Sequence, residues 1–351
     1  MKYQHVKNIP NINSWEIIDN NCYYASGNLV KVIGKEVSIP IPLPYWGVEF
    51  NPSFFNVFTN RSVNTFFNYQ GKVINTFEEK DFYYYFSDSS FIYYDRVSKR
   101  LMYNDLELLR GKMLSFYIFD DLLFFEKENK IQTINFLSGQ FLWEFSLASL
   151  GKWKNSWDEE RDFEIRHFIG IYNRIIWAFI EIGGFIGLDI ETGELKYHIP
   201  EYDEAIGKTI CKGKDFFRSD YFLNSEKGKI LGMAMDVFIE IDLTQEPPFV
   251  TQYGLQEEFE KYNIKGKDTS TKYAVQDNLL YFYLFDQLRF GILDINTKEI
   301  IYISEPIAVV ERDDSFTRLR DLKVSENKVY ILDSNHTLHI FEREEQLKIT
   351  T

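Results

Sequence analysis

The side chains best suited to chemistry are carboxylates that recur at one position of a short sequence pattern. GLDIETGELKYHI (187–199) alternates apolar and polar residues, breaks at Thr192 and Gly193, and then alternates again. TINFLSGQFLWEF (133–145), ILDINTKEIIYIS (292–304) and YYDRVSKRLMYND (93–105) align with it residue for residue. The residues at the shared position, which we call the anchors, are Asp95, Asn135, Asp189 and Asp294.

An anchor such as Asp189 could act as a general acid or base, but that chemistry needs one carboxylate rather than one in every repeat. Alternation on both sides of the break is typical of a strand, a turn and a second strand. In such a turn an Asp or Asn side chain accepts hydrogen bonds from backbone N–H groups, while Gly139 and Gly193 can supply a positive φ. We therefore interpret the anchors as turn residues and not as catalytic groups.

The histidines and cysteines suggest no metal or nucleophile. His336 and His339 are an odd number of residues apart, so on a strand they point to opposite faces and do not suit a shared metal. Cys22 and Cys211 lie too far apart for a disulfide framework or a zinc knuckle, and we expect both to be buried apolar fillers. The motifs H-E-x-x-H, G-x-S-x-G, C-x-x-C and G-x-x-x-x-G-K-[ST] are absent. We expect no catalytic residue, cofactor or metal.

Composition and charge narrow the class of partner. The 351 residues are 45% hydrophobic and 17% aromatic, which is enough for a large core. A net charge of -14 gives a field that repels phosphate backbones and anionic lipid, so we expect neither nucleic acid nor membrane and favour a basic partner. MKYQHVKNIPNINSWEII (1–18) does not read as an export signal, and no run approaches the roughly 18 apolar residues of a membrane span, so we expect a cytoplasmic protein.

The repeat predicts an all-β chain of four-stranded antiparallel units. Apolar strands such as RIIWAFIEI (174–182) precede the strand pair, and earlier strands such as RLRDLKV (318–324) lead into them. Asn135, Asp189, Asp242 and Asp294 are 54, 53 and 52 residues apart, a period that suits β-propeller blades with long loops.

We predict one β-propeller domain over residues 1–351. Counting turn pairs gives eight blades, but Asn68 and Asp95 are only 27 residues apart, and merging those two units gives seven, which we favour. MKYQHV (1–6) is expected to pair with the last strand, because an open edge strand invites aggregation. EEFEKYNI (257–264) is the best candidate for a short helix. Trp143 is expected to be buried between blades.

A strand, then L-D-x-x-T-G-x-x-x-W/Y, then a strand resembles the repeat of the quinoprotein-type (pyrroloquinoline-quinone-like) β-propellers, relatives of the tryptophan-aspartate repeat propellers. The copies at 133, 187 and 292 match best, and weaker copies extend the resemblance over nearly the whole chain. The resemblance implies a fold and little about function, because propellers include enzymes, scaffolds and inhibitors. The quinone-dependent dehydrogenases of this class are secreted, bind calcium and use a vicinal disulfide. This chain has no adjacent cysteines, so we do not extend the resemblance to the cofactor.

The loops that join one blade to the next combine aromatic residues with carboxylates, and in a propeller they share one face. Trp153 and Trp157 lie in a long polar insertion, where tryptophan is costly to leave in water and typical of protein interfaces. We predict a partner-binding face formed by Tyr45, Trp46, Trp153, Trp157, Asp158, Glu159, Glu160, Tyr202, Asp203, Glu204, Glu257, Glu258, Phe259, Asp313, Asp314 and Phe316.

Two functional hypotheses follow. In the first, a monomeric, non-catalytic propeller docks a basic protein on this acidic face, for example as an immunity-type inhibitor of a cationic toxin domain. In the second, a propeller enzyme or lectin acts on a glycan or glycoside, with aromatic platforms and a carboxylate pair at the mouth of the propeller. The sequence names no such pair, so we favour the first hypothesis.

Overall fold

The computed structural model describes residues 1–60, 63–87, 89–154, 159–180, 184–199, 219–264, 269–285, 287–307 and 317–344. The chain divides into two compact units, Met1–Lys80 with Gly254–Thr351 (unit 1) and Asp81–Tyr253 (unit 2). Across the described ranges the strands form eight four-stranded antiparallel sheets and one two-stranded hairpin. The prediction of an all-β fold with four-stranded antiparallel blades is confirmed.

The elements have the following bounds. The first nine strands are β1 (Tyr3–Ile9), β2 (Ser14–Ile18), β3 (Asn21–Ser26), β4 (Leu29–Val32), β5 (Ser38–Pro40), β6 (Gly47–Phe50), β7 (Phe54–Asn60), β8 (Val63–Asn68) and β9 (Val73–Glu78). The next eight are β10 (Lys80–Ser87), β11 (Ser90–Asp95), β12 (Arg100–Tyr103), β13 (Leu106–Arg110), β14 (Phe116–Phe119), β15 (Leu122–Lys127), β16 (Lys130–Asn135) and β17 (Gln140–Ser146), followed by a 3₁₀ helix (Leu147–Leu150).

The chain continues with β18 (Lys152–Lys154), β19 (Glu160–Asp162), β20 (Ile165–Tyr172), β21 (Ile175–Ile180), β22 (Gly184–Asp189), β23 (Leu195–Ile199), β24 (Phe222–Asn224), β25 (Lys229–Ala234), β26 (Val237–Asp242), β27 (Phe249–Gly254) and the helix α1 (Gln256–Glu260). The last strands are β28 (Thr269–Gln276), β29 (Leu279–Leu284), β30 (Arg289–Asp294), β31 (Ile300–Ile303), β32 (Leu319–Ser325), β33 (Lys328–Asp333) and β34 (Leu338–Arg343).

Each sheet takes its strands in chain order, except one in unit 1 that has the order β1-β34-β33-β32. There the first strand of the chain pairs antiparallel with the last, with Tyr3 opposite Arg343 and Ile9 opposite Leu338. The predicted pairing of the N-terminal segment with the last strand is thus confirmed. It leaves β34 with a neighbour on both sides.

In most sheets the second strand is more buried than the fourth. IIWAFI in β21 and LLYFYL in β29 are continuous apolar runs, buried in all but their first residue. Such runs suit strands covered on both faces. In contrast, β17 exposes most of its side chains and buries Trp143. The cores therefore lie between neighbouring sheets, as in the cluster of unit 2 around Phe124 and Ile186 and the cluster of unit 1 around Phe290 and Phe341.

The preference for seven blades was wrong, because the Asp95 turn occupies a different place in its sheet. Asn135, Asp189, Asp242 and Asp294 each end the third strand of a sheet, whereas Asp95 ends the second strand, β11. Strands β12 and β13 are joined by a two-residue turn in which Asn104 has φ 50°. In addition, Glu79 at φ 55° is the single residue between β9 and β10. Two complete sheets therefore fit where the anchor spacing indicated one.

Candidate functional site

The two edges of a sheet carry different connections. Because consecutive strands are antiparallel, the first strand begins where the fourth strand ends and where the second turns into the third. We call this the loop edge, and it carries the connections between sheets. The opposite edge, which we call the turn edge, carries the turn between the third and fourth strands. Within each unit the predicted binding loops lie on loop edges.

The anchors on the turn edge are structural. Asp189 Oδ1 accepts the backbone N–H groups of Glu191 and Thr192, both at 2.9 Å, and the Thr192 hydroxyl at 3.1 Å. The Thr192 N–H lowers the pKa of the Asp189 carboxyl. Asp294 Oδ1 accepts the N–H of Asn296 at 2.8 Å in the same way. Gly193 has φ 71° and Gly139 has φ 72°. The interpretation of the anchors as turn residues is confirmed.

Trp143 links two neighbouring sheets of unit 2. The side chain, 6% exposed, donates its Nε1–H to the carbonyl oxygen of Ile190 at 2.9 Å. Its ring covers the turn of the next sheet so closely that a Cβ on Gly193 would lie 2.4 Å from Cε3. The predicted burial of Trp143 between blades is confirmed. It explains why glycine follows Thr192.

Residues 41–46 form a rigid, apolar tip on the loop edge of unit 1. Leu43 is 64% exposed and Trp46 is 67% exposed. The Ile41 N–H donates to the Asn28 carbonyl at 2.9 Å and the Trp46 N–H donates to the Phe58 carbonyl at 2.7 Å. Tyr45 packs against the core and its hydroxyl accepts the Asn13 amide N–H at 2.7 Å. Pro42 and Pro44 further restrict the backbone. Tyr45 thus holds the tip, and Trp46 is presented to solvent.

The three predicted site residues of the helix α1 have different environments. Glu257 is exposed, whereas Phe259 is fully buried and packs edge-on against Phe282 with ring centres 5.8 Å apart. Phe259 therefore contributes to the core and not to a surface, which corrects its assignment to the binding face. Glu258 is mostly buried and accepts the Lys261 ammonium at 2.6 Å and the Ile300 N–H at 3.2 Å. It fixes the helix to the start of β31.

The described part of the insertion around Trp153 is a charge-balanced hairpin of β18 and β19. Its register places Lys152 opposite Asp162, Trp153 opposite Arg161 and Lys154 opposite Glu160. Glu159 pairs with Arg161 at 2.8 Å, and both Glu159 and Glu160 are exposed. The carboxylates here are offset by cations, so the hairpin is less acidic than its carboxylates alone suggested.

Half of the predicted binding residues lie outside the described residues. These are Trp157, Asp158, Tyr202, Asp203, Glu204, Asp313, Asp314 and Phe316.

This architecture is shared with solved structures of other proteins, although the sequence itself has no match. No family model matches the sequence, and a search of curated proteins finds no match. Among solved structures, BamB from Moraxella catarrhalis is similar with a TM-score of 0.59 and 11% identity, over 99% of this chain and 99% of that chain. The computationally designed protein Ika8 is similar with a TM-score of 0.54 and 10% identity, over 95% of this chain and 96% of that chain.

The chain has the fold of the quinoprotein-type β-propellers. The resemblance seen in the repeat is therefore confirmed at the level of the fold. At 10–11% identity, this structural similarity assigns no activity or ligand to the chain. In the part of the chain that is described, no helix is long and apolar enough to cross a membrane.

Two histidines, His336 and His339, and the described cysteine make structural contacts. His339 and Asp333 form a buried pair, with His339 Nε2 2.9 Å from Asp333 Oδ2. His336 lies in the preceding turn with its Nδ1 3.0 Å from the Ile12 carbonyl. Among the described residues no group of three His, Cys, Asp or Glu side chains comes together as a metal site. Cys22 is buried as expected, and burial raises the pKa of its thiol to about 12. Cys211 lies outside the described residues.

Two of the cavities in the described regions have linings that bear on catalysis. One of about 650 Å³ opens on the loop edge of unit 1 beside Arg318 and Arg320. One of about 330 Å³ lies in unit 2 beside Tyr197 and Glu246, whose side chains hydrogen-bond at 2.6 Å. The described residues that line the first cavity include no carboxylate, and those that line the second include Glu246 alone. Neither set provides the paired carboxylates of a glycosidase.

Proposed function

We propose that this propeller is a non-catalytic binding protein that docks a basic protein on its loop edge. The exposed tip of unit 1 carries the proposal. Trp46 and Leu43 expose two large apolar side chains, three residues apart on a loop whose backbone is held by hydrogen bonds and prolines. Tryptophan is among the residues that most often dominate binding energy at protein interfaces. A loop already fixed in one conformation also loses little entropy on binding.

The charge of the chain indicates the sign of the partner. A net charge of -14 attracts cationic proteins and accelerates their encounter at low salt. On unit 1, Glu257 and Glu260 of α1 are exposed, and Glu305 follows β31 with a 94% exposed side chain. These carboxylates lie in connections of the loop edge, as the tip does. We expect them to orient a basic partner whose apolar centre meets Trp46.

The more specific form of the proposal is an immunity-type inhibitor. A cationic toxin domain such as a nuclease has the charge that this propeller would attract, and an inhibitor needs no catalytic group of its own. In this form the propeller is a cytoplasmic monomer that covers the toxin in the cell that makes it. The residues Trp153, Trp157, Asp158, Tyr202, Asp203, Glu204, Asp313, Asp314 and Phe316 remain part of the proposed face.

The alternative, an enzyme or lectin acting on a glycan, has less support. A glycosidase requires two carboxylates across a cavity. Neither of the two cavities described above offers two, and the cavity of about 650 Å³ is lined by two arginines.

The test is affinity capture from the native cell lysate at low and high salt. The bait is the wild-type chain beside the Leu43→Ala, Trp46→Ala double variant. A basic protein retained by wild type, released by salt and lost from the double variant supports docking at the tip. The captured protein must then bind the wild-type chain when both are purified.

The matched control is Phe249→Ala. Phe249 is 56% exposed but lies at the start of β27, on the turn edge of its sheet. It tests whether any exposed aromatic ring retains lysate proteins. Equal loss of the captured protein from Phe249→Ala and from the tip variant would contradict a specific site at residues 41–46.

A further inference from the structure

The larger cavity lies between two neighbouring sheets of unit 1. Its lining comes from the start of β28, the end of β29, the start of β32 and the residue after β33. At about 650 Å³ it is in the size range of small-molecule sites, roughly 300–1,000 Å³. None of its lining residues belongs to the tip at 41–46 or to the predicted partner-binding residues.

The apolar part of the cavity is pre-formed. Leu319 and Tyr283 are buried, and Phe285 completes this part of the lining. The Tyr283 hydroxyl donates to the Arg320 carbonyl oxygen at 2.8 Å, which joins β29 to β32 across the cavity. This hydroxyl is therefore already committed, and the ring of Tyr283 contributes apolar surface.

Two arginines give the cavity a positive charge. Arg318 and Arg320 flank the buried Leu319, and both arginines line the cavity. The guanidinium carbon of Arg318 lies 5.9 Å from the centre of the Phe285 ring, an arrangement that holds the group over the ring. Arg320 is exposed, and its guanidinium makes no hydrogen bond or ion pair within the described ranges.

Two hydroxyl groups add donors beside the arginines. Ser270 Oγ accepts the Lys272 N–H at 2.9 Å, and Ser334 Oγ accepts the Arg318 N–H at 3.0 Å. Because each oxygen accepts a backbone hydrogen, each hydroxyl keeps its own hydrogen to donate. The polar side chains that remain available therefore point to a ligand that accepts hydrogen bonds.

We infer that this cavity, which we call the arginine cavity, binds an organic oxyanion: a carboxylate or phosphate attached to an apolar or aromatic body. The guanidinium of Arg320 can bind such a group through two parallel N–H donors, and the hydroxyls of Ser270 and Ser334 can donate to it. Leu319, Tyr283 and Phe285 cover the apolar body. In a chain of net charge -14, a cavity lined by arginines and no described carboxylate selects ligands opposite in charge to the proposed protein partner.

The first experiment is titration calorimetry with phenyl phosphate and phenylacetate, and with benzyl alcohol as the uncharged analogue. Wild type is expected to bind the two anions and not the alcohol. Arg320→Gln should weaken binding by about 10-fold or more, because it removes a charge-assisted hydrogen bond. Arg320→Lys should recover part of the loss. Absence of binding by both anions at millimolar concentration would overturn the inference.

The control is Arg110→Gln, which makes the same change in net charge. The Arg110 side chain is 79% exposed, lies at the end of β13 in unit 2 and does not line the cavity. Its affinity for phenyl phosphate should equal that of wild type. If Arg110→Gln weakened binding as much as Arg320→Gln, the anion would be responding to the overall charge and the site would be disproved.

The oxyanion could belong to a free small molecule or to the C-terminus of a peptide, and a second titration separates these sources. A tripeptide ending in phenylalanine presents a carboxylate beside a benzyl group, and its C-terminal amide removes the charge. Binding of the free acid and not of the amide, lost in Arg320→Gln, assigns the cavity to peptide C-termini. Binding of the small anions without the peptide assigns it to a small molecule. Either result supports the arginine cavity.

Discussion

The contact of Trp143 with the turn of the next sheet leads to a double-mutant prediction. Trp143→Ala removes a nearly buried indole and its hydrogen bond to Ile190, and should lower the free energy of unfolding by about 3–5 kcal/mol. Gly193→Ala places a methyl group 2.4 Å from Trp143 Cε3 at φ 71°. The backbone strain costs about 1 kcal/mol and the overpacking adds about 1–3 kcal/mol.

The two changes should not be additive. Once the indole is gone, Gly193→Ala meets no ring and should cost only the backbone strain of about 1 kcal/mol. The coupling energy between the two sites should then be about 1–3 kcal/mol. Gly34→Ala is the matched control, because Gly34 lies in a turn at φ 76° and nothing lies within 4 Å of an added Cβ. It should cost about 1 kcal/mol in either background.

The assay is urea-induced unfolding followed by far-ultraviolet circular dichroism, which does not depend on the tryptophan that is removed. All five variants and wild type are compared by their midpoints and slopes. Equal costs for Gly193→Ala and Gly34→Ala in the wild-type background would refute the packing of Trp143 on this turn. Strict additivity in the double variant would refute it independently.

Three further predictions concern a buried acid, an anchor and the N-terminal strand. Glu126 is 2% exposed, and burial raises its pKa from 4.5 to about 7, so its contribution to stability is fully present below about pH 4.5 and is lost as the pH rises through 7. The free energy of unfolding of Glu126→Gln, measured in urea relative to wild type, should therefore rise by about 2–3 kcal/mol between pH 4.5 and pH 8. A difference between variant and wild type that does not change with pH would contradict the buried charge. Asp189→Ala should cost about 1–2 kcal/mol in the same assay, while Asp189→Asn, which keeps the acceptor, should cost less than half as much; equal costs would show that the turn hydrogen bonds are unimportant. Removal of Met1–Ile9 exposes the edge of β34 and should produce concentration-dependent association in light scattering, whereas a stable monomer would show that β1 is dispensable.

The turns and strands were predictable because their determinants are local. Asp189, Thr192 and Gly193 fold their own turn through hydrogen bonds spanning three residues, so their spacing carries the information. The blade count depended on which connection each turn makes, and the spacing of Asn68 and Asp95 does not carry that information. The Asn104 turn, with its positive φ, was the missed signal that a further strand begins at Leu106.

The candidate site was predictable in part, because exposure depends on tertiary packing. Trp46 and Phe259 are both aromatic residues in loops between blades, yet one is exposed and the other is buried. Leu255 and Phe259, four residues apart in and beside a short helix, could have indicated an inward apolar face. The arginine cavity joins residues some 50 positions apart, and its one local sign is the R-L-R sequence of Arg318–Arg320 at the start of a strand.

The most direct test of the proposed function is the dissociation constant of the captured basic protein, measured with purified components. Trp46→Ala should weaken binding by about 30-fold or more and Phe249→Ala should leave it unchanged, because a hot-spot tryptophan contributes about 2–4 kcal/mol. Raising the salt from 50 to 500 mM should weaken binding of wild type and of Phe249→Ala alike. Equal affinities for wild type and Trp46→Ala, or affinity independent of salt, would contradict docking of a basic protein at this tip.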